Sequence, residues 1–363
     1  MNIIHLVRAV TWGGGERYAL DLCRKSVEAG HSVTAVTRGK PLIDEQFVEA
    51  GTNVTRMPLG GFADFRSPFL LARLIKKMEW NDVIIHVHTF KDAEIVARTK
   101  HLLGKGTNVK LVCTRHLVKR AKRSKRWKFI FSAIDALIFV SDLAKTRFLS
   151  GNPQIDRNKI EVVHNSILVP EKFRTPLPLP ESNPLKLLYT GRISSEKGID
   201  ILIDALSLLP DLPLVLLIAG TGKEEYINHL KSLAASRNIS HRIEWIGFFP
   251  VIYEAIAKAD ICIAPSIVEE SFGLTVIEYM SLARPVITTS NGGQKEIITD
   301  GKDGILVKPS DPEALAAAIR NLASDRSLRE KMGDEAFHTF AHRFSYDIFF
   351  SKIMDIYKAV EIS

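Results

Sequence analysis

An α/β fold of two doubly wound, Rossmann-like parallel-sheet domains is what this sequence predicts. Three observations predict it. Strand-like apolar runs alternate with helical ones along the whole chain, the pattern of parallel sheets covered on both faces. At 363 residues the chain is long for one core and suits two. A proline-rich passage (Pro170, Pro176, Pro178, Pro180, Pro184) lacks any apolar period, and the alternation restarts after it. The expected division is a first domain over 1–168, a linker over 169–184 and a second domain over 185–344.

In the first half, apolar runs near 2–7, 32–37, 53–57, 83–87, 109–114, 136–140 and 160–163 read as strands. Helical periodicity falls near 15–29, 67–78, 91–102, 120–132 and 142–149. The second half opens with Leu185-Lys186-Leu187-Leu188-Tyr189 and continues with strands near 214–219, 242–246, 260–264, 285–288 and 305–307. Helices near 198–208, 222–235, 274–282, 312–323 and 327–341 connect or follow them. A last helix from Tyr346 to about Val360 exceeds what the second sheet needs.

Composition narrows the function classes. Apolar residues at 46% and charged residues at 25% are those of a soluble globular chain. Met1 to Arg8 reads as a first strand, not a signal peptide, and no stretch approaches the roughly 20 apolar residues of a membrane span. Cys23, Cys113 and Cys262 stand alone in apolar surroundings, as expected of buried thiols in a reducing cytoplasm. The net charge of +8 is uneven: residues 1–170 carry 28 Lys+Arg against 15 Asp+Glu, and 171–363 carry 21 against 26. Much of the excess lies in Lys119–Lys128, which contains Trp127. Such a polybasic run suits anionic lipid headgroups. No helix-turn-helix, zinc or RNA-binding signature accompanies it, so nucleic acid is not the expected partner.

Several loops carry candidate chemistry. Trp12-Gly13-Gly14-Gly15-Glu16-Arg17 joins the first strand to a helix, where glycines let the backbone approach a phosphate. The spacing is not the G-x-G-x-x-G of a nicotinamide site, and the second strand ends in Arg38 where an acid for an NAD ribose belongs. His86-Val87-His88 alternates at period 2, so both imidazoles share a face; a third metal ligand is not evident. Thr114-Arg115-His116 ends another strand, where α/β sheets hold their ligands. Arg192 and Lys197 flank a turn after the first strand of the second domain, a fork and a point charge suited to a diphosphate. Gly220 and Ile246-Gly247-Phe248 also follow strands. Finally, Phe272-Gly273-Leu274 opens a helix whose unpaired N–H groups favour phosphate. Glu278 lies one turn further in, with two oxygens suited to the diol of a ribose, and Glu270 precedes the helix on the loop.

Glu270 and Glu278, with Phe272-Gly273-Leu274 between them, resemble the signature of the family 4 retaining glycosyltransferases, and the resemblance spans nearly the whole chain. It implies the GT-B fold, two domains facing across a cleft, with the final helix over 345–363 packing back on the first. It also implies that Arg192 and Lys197 neutralise the leaving nucleoside diphosphate of a UDP- or GDP-linked sugar. Gly14, Gly15 and Gly220 would line the donor site, and Glu270 and His116 would position the sugar as catalytic residues. No D-x-D triplet occurs, so no metal is expected; the two cations take its electrostatic role. Ser271 departs from the glycine often found there, and Arg115 from the histidine or small residue, which leaves sugar and acceptor open. The implied acceptor is a glycan or lipid-linked chain of bacterial surface polysaccharide, lipopolysaccharide or glycolipid synthesis. The expected seat is cytoplasmic, peripheral at the inner membrane face. The alternatives are a GT-B epimerase or phosphorylase, or a non-catalytic nucleotide-sugar-binding protein.

Overall fold

The computed structural model describes residues 1–8, 13–62, 64–249 and 251–362. Trp12 of the glycine loop and Ser363 of the last helix therefore lie outside the described residues. The chain divides into two compact units, Met1–Ser166 with Tyr346–Ser363, and Ile167–Ser345.

The first unit runs β1 (Asn2–Val7), α1 (Gly14–Glu28), β2 (Ser32–Thr37), α2 (Pro41–Glu49), β3 (Asn53–Arg56), α3 (Arg66–Lys77) and β4 (Asp82–Val87). It continues with α4 (Phe90–Leu103), β5 (Asn108–Arg115), α5 (Lys125–Ala133), β6 (Ala136–Phe139), α6 (Asp142–Leu149) and β7 (Ile160–Val162). Its seven strands are all parallel, in the order β3-β2-β1-β4-β5-β6-β7. The strand order reverses between β1 and β4, the point where doubly wound sheets open a crevice at their carboxyl ends.

The second unit runs β8 (Leu185–Thr190), α7 (Ile199–Ser207), β9 (Leu214–Ala219), α8 (Glu224–Ser236), β10 (Ile243–Gly247) and α9 (Ile252–Ala257). Then follow β11 (Ile261–Ala264), α10 (Leu274–Met280), β12 (Val286–Thr289), α11 (Gln294–Ile297), β13 (Ile305–Val307), α12 (Pro312–Ser324) and α13 (Arg326–Thr339). A π-helical turn over Phe340–Phe344 follows α13, and α14 (Tyr346–Ile362) belongs to the first unit. The second sheet, again all parallel, has the order β10-β9-β8-β11-β12-β13, with its reversal between β8 and β11. Central strands such as β9 (Leu214 to Ala219) are buried throughout, as expected where helices cover both faces.

Two of the local differences from the sequence reading have physical causes. The helix α2 is an addition; Pro41 at its first turn is the signal that marks it, since proline is preorganised there. The basic run is helical only from Lys125, because Ser124 caps the helix through a bond from Trp127 N, and Ala121 is held extended against the Phe148 carbonyl. Helix α10 stops at Met280, two residues short of the expected end.

The proline-rich passage packs onto the second unit. Arg284 is fully buried and donates to the Leu177 and Pro178 carbonyls at 2.9 and 3.2 Å, and Phe173 stacks on Tyr253. Among the described residues no helix is long and apolar enough to cross a membrane.

Candidate functional site

In the second unit the loops after β8, β9, β10 and β11 are stitched into one surface. The Gly191 N–H donates to the Ala219 carbonyl at 3.0 Å, Ile193 to Thr221 at 2.8 Å, and Gly220 to Gly247 at 2.8 Å. Gly220 is required by this closeness, because a β-carbon there would run into the Gly191 carbonyl. Gly198 has φ +67°, and a β-carbon on it would strike the Pro265 carbonyl, so the loop after β8 rests directly on the loop after β11.

That contact brings together residues 73 apart. Lys197 Nζ pairs with Glu270 Oε1, which also accepts from Ser266 Oγ at 2.6 Å. Both partners of the pair are about three-quarters buried. Arg192 is 70% exposed, its carbonyl held by the Tyr189 hydroxyl at 2.7 Å and its guanidinium 3.8 Å from Glu196. Lys197 is thus a positioned charge and Arg192 a reaching one. The turn after β12 braces Glu270 from below: Gly293 N–H donates to the Glu270 carbonyl at 2.8 Å, and Asn291 donates to Ile267 O at 3.0 Å.

Phe272 is 1% exposed with its ring 5.7 Å from Phe344, so its side chain is core and does not face a ligand. Gly273 takes φ +125° at the start of α10, and no side chain caps that helix. Leu274 begins α10, and Glu278 stands half-buried on it, off the buried set of Val276, Ile277, Tyr279 and Met280. The Tyr279 hydroxyl binds Thr190 N and Oγ1, both at 2.9 Å, which ties α10 to the end of β8.

In the first unit the carboxyl ends of β1, β4 and β5 gather four histidines. His86 and His88 rings stack 4.8 Å apart, with His5 at 5.2 Å from His86 and His116 at 5.7 Å from His88. His86 is fully committed: Nδ1 meets the Tyr357 hydroxyl at 2.6 Å and Nε2 the Thr114 hydroxyl at 2.7 Å. The Tyr18 ring lies edge-on to His116 at 4.8 Å. Burial holds His5 down to about 3, and burial with the neighbouring Arg115 charge holds His116 down to about 4, so both rings are neutral at physiological pH. His116 Nε2 and His88 Nδ1 have no hydrogen-bond partner among the described residues. Gly13 is extended before α1, and Gly14 and Gly15 are that helix's first residues. Among the described residues, a β-carbon on Gly15 would meet nothing within 4 Å.

Sequence reasoning reached His86, His88, Thr114 and His116 but not His5, Tyr18 or Tyr357. Their signal is pairing across the sheet and with α14, which no local spacing carries. Ser266, the second support of Glu270, went unweighed although it stands four residues before it.

The description "Glycosyl transferases group 1" matches residues 171–339, and "Glycosyltransferase Family 4" matches residues 12–168. A crystal structure of a glycosyltransferase from Rickettsia africae is similar with a TM-score of 0.84 and 26% identity, covering 99% of this chain and 98% of that one. The putative glycosyltransferase EpsD of Bacillus subtilis is 29% identical over 88% of this chain and 86% of its own length. Anabaena HepE, solved in complex with UDP-glucose, shares the fold at TM-score 0.81 and 19% identity, over 99% and 100% of the two chains. With two parallel-sheet Rossmann-like units built as described, the chain belongs to the family 4, group 1 glycosyltransferases of GT-B fold.

Proposed function

We propose that this glycosyltransferase moves a sugar from a nucleotide-diphosphate sugar to a glycan or lipid-linked acceptor, with retention and without a metal. The observation that carries this reading is the Lys197–Glu270–Ser266 arrangement beside Arg192, at the strand-order reversal of the second sheet. A UDP- or GDP-linked donor fits it; HepE, of the same fold, holds UDP-glucose.

Lys197 and Arg192 stabilise the charge that grows on the diphosphate as the C1–O bond to its terminal phosphate breaks. The N–H groups at Gly273 and Leu274 and the main chain at Gly220 contact the same diphosphate; Gly14 and Gly15 approach the donor from the start of α1, where Gly15 is uncrowded. Glu278 accepts from the ribose hydroxyls. Glu270, already holding Lys197 through Oε1, presents Oε2 to the sugar, and His116 offers its unpartnered Nε2 to a sugar hydroxyl. The acceptor oxygen bonds C1 on the face the diphosphate leaves, and its proton passes to the departing phosphate oxygen.

The acceptor belongs to bacterial surface polysaccharide, lipopolysaccharide or glycolipid synthesis, at the inner membrane face. Lys119–Lys128 supports this: its seven cations are all exposed. The reading is tested by Lys197→Ala and Glu278→Ala with radiolabelled donors. Wild-type donor affinity and turnover in both, or turnover abolished by chelator and restored by magnesium, would refute it.

A further inference from the structure

Helix α3 has two apolar faces. Ser67, Pro68, Leu71, Ala72 and Ile75 are buried against its own unit. The opposite face carries Phe65 just before the helix, Phe69 and Leu70, which are 67%, 63% and 41% exposed. Phe65 and Phe69, at i and i+4, lie side by side, an exposed aromatic pair that solvent alone does not favour, and Leu70 stands on the adjacent strip of the helix. Arg66, Arg73, Lys76 and Lys77 surround them, all exposed, with no acid between Asp64 and Glu79.

This face is continuous with the basic run. Helix α3 packs on α4, and α4 on α5. Arg98 of α4 lies over the Phe65 ring at 4.8 Å and donates to Glu94, which also accepts from Arg126 Nε at 2.9 Å. Arg126 in turn donates to the Phe62 carbonyl at 2.6 Å and covers the Phe62 ring. Leu117 and Phe129, 49% and 40% exposed, flank the seven exposed cations of 119–128. From residue 95 to 134 the chain has twelve Lys and Arg and no Asp or Glu.

We propose that the outer face of α3 and the 117–129 segment form one bilayer-docking surface. Phe65, Phe69, Leu70 and Phe129 enter the acyl boundary while the cations hold anionic headgroups. The inference rests on the reading of a membrane-seated acceptor and adds an inserted apolar wedge to it. Charge alone would suit an RNA equally, but the exposed phenylalanines and leucines beside these cations gain by leaving water for hydrocarbon, which a phosphate backbone does not offer. Cations make the attachment selective for acidic lipid and sensitive to salt; the wedge leaves a fraction that salt does not remove.

The test is co-sedimentation of the full chain with phosphatidylcholine vesicles, with and without phosphatidylglycerol, at low and high salt. Wild type binds the acidic vesicles and keeps part of that binding in salt. Phe65→Ser/Phe69→Ser lowers partitioning by about tenfold or more and abolishes the salt-resistant part. In Phe69→Trp, indole emission shifts blue on acidic vesicles and is quenched by lipids brominated along the acyl chain. Unchanged binding in the double variant, unshifted emission in Phe69→Trp, or capture by an RNA oligonucleotide with none by vesicles overturns the surface. Hydrolysis of sugar nucleotides in the absence of lipid is measured alongside. Donor turnover without vesicle binding removes the surface and spares the catalytic reading; vesicle binding without turnover of any donor does the reverse.

Discussion

The two units repeat one topology and equip its switch point in opposite ways. At the carboxyl ends of β8 and β11, charges stand ready: Lys197 paired with Glu270, Arg192 reaching into solvent, and loops locked by close glycine contacts. At the corresponding ends of β1 and β4 stands a stack of uncharged imidazoles, closed from behind by Tyr357 of α14. A parallel sheet dictates where a ligand binds, but the loops decide whether it meets fixed charge or neutral hydrogen bonding. The charged end suits a diphosphate; the neutral end suits hydroxyls.

The contrast breaks most sharply at Lys197. Lys197→Ala is expected to lower kcat by about 10²–10³ while His116→Ala costs less, since a neutral ring stabilises less developing charge. Steady-state kinetics with one donor checks it, and the reverse ranking would exchange the roles of the two ends.

Acid should weaken the first unit before the second. Buried His5 and His86 stay neutral in the fold, while the unfolded chain protonates at its ordinary value of 6.5. Stability is therefore complete above pH 6.5 and declines as pH falls toward 4, with a slope approaching about 1.4 kcal/mol per pH unit for each histidine. Urea titrations at pH 7.5 and 5 read this; a replacement of His5 by Phe should flatten the dependence.

Tyr357→Phe removes the hydroxyl from His86 Nδ1 and should cost about 1–3 kcal/mol, measured by the same titrations. Gly220→Ala and Gly15→Ala sharpen the comparison at its finest scale. The first drives a methyl into the Gly191 carbonyl and should lower the stability of the second unit; the second fills open space at the start of α1 and should raise stability by about 0.5–1 kcal/mol. Isothermal titration of Gly15→Ala with UDP and GDP then reads whether the glycine serves a ligand: weakened binding in a stabilised protein is the expected pair.

Much of the fold was legible because its signals are local. Runs such as Leu214–Ala219 announce buried strands, and Ser141, whose hydroxyl caps α6 at Ala144 N, announces a helix start. The helices Pro41–Glu49 and Ile252–Ala257 went unread: the first has only Pro41 as a start signal, and the second spans six residues, too few for an apolar period. At the candidate site, Arg192, Lys197, Glu270 and Glu278 could be singled out by the company they keep along the chain. Phe272 could not be told from a ligand-facing aromatic until Phe344 was seen against its ring.

By itself, then, the sequence determined the alternation of strand and helix, the break between two sheets, and which loops carry charge or glycine. These follow from backbone period and side-chain chemistry within a dozen residues. Only the tertiary structure decided that β8 lies beside β11, so that Lys197 meets Glu270, and that His5, His86, His88 and His116 share one stack. It alone also decided that Phe65 and Phe69 face outward beside the basic run. Strand order and helix orientation arise from burying many apolar faces at once, and no single segment contains that information.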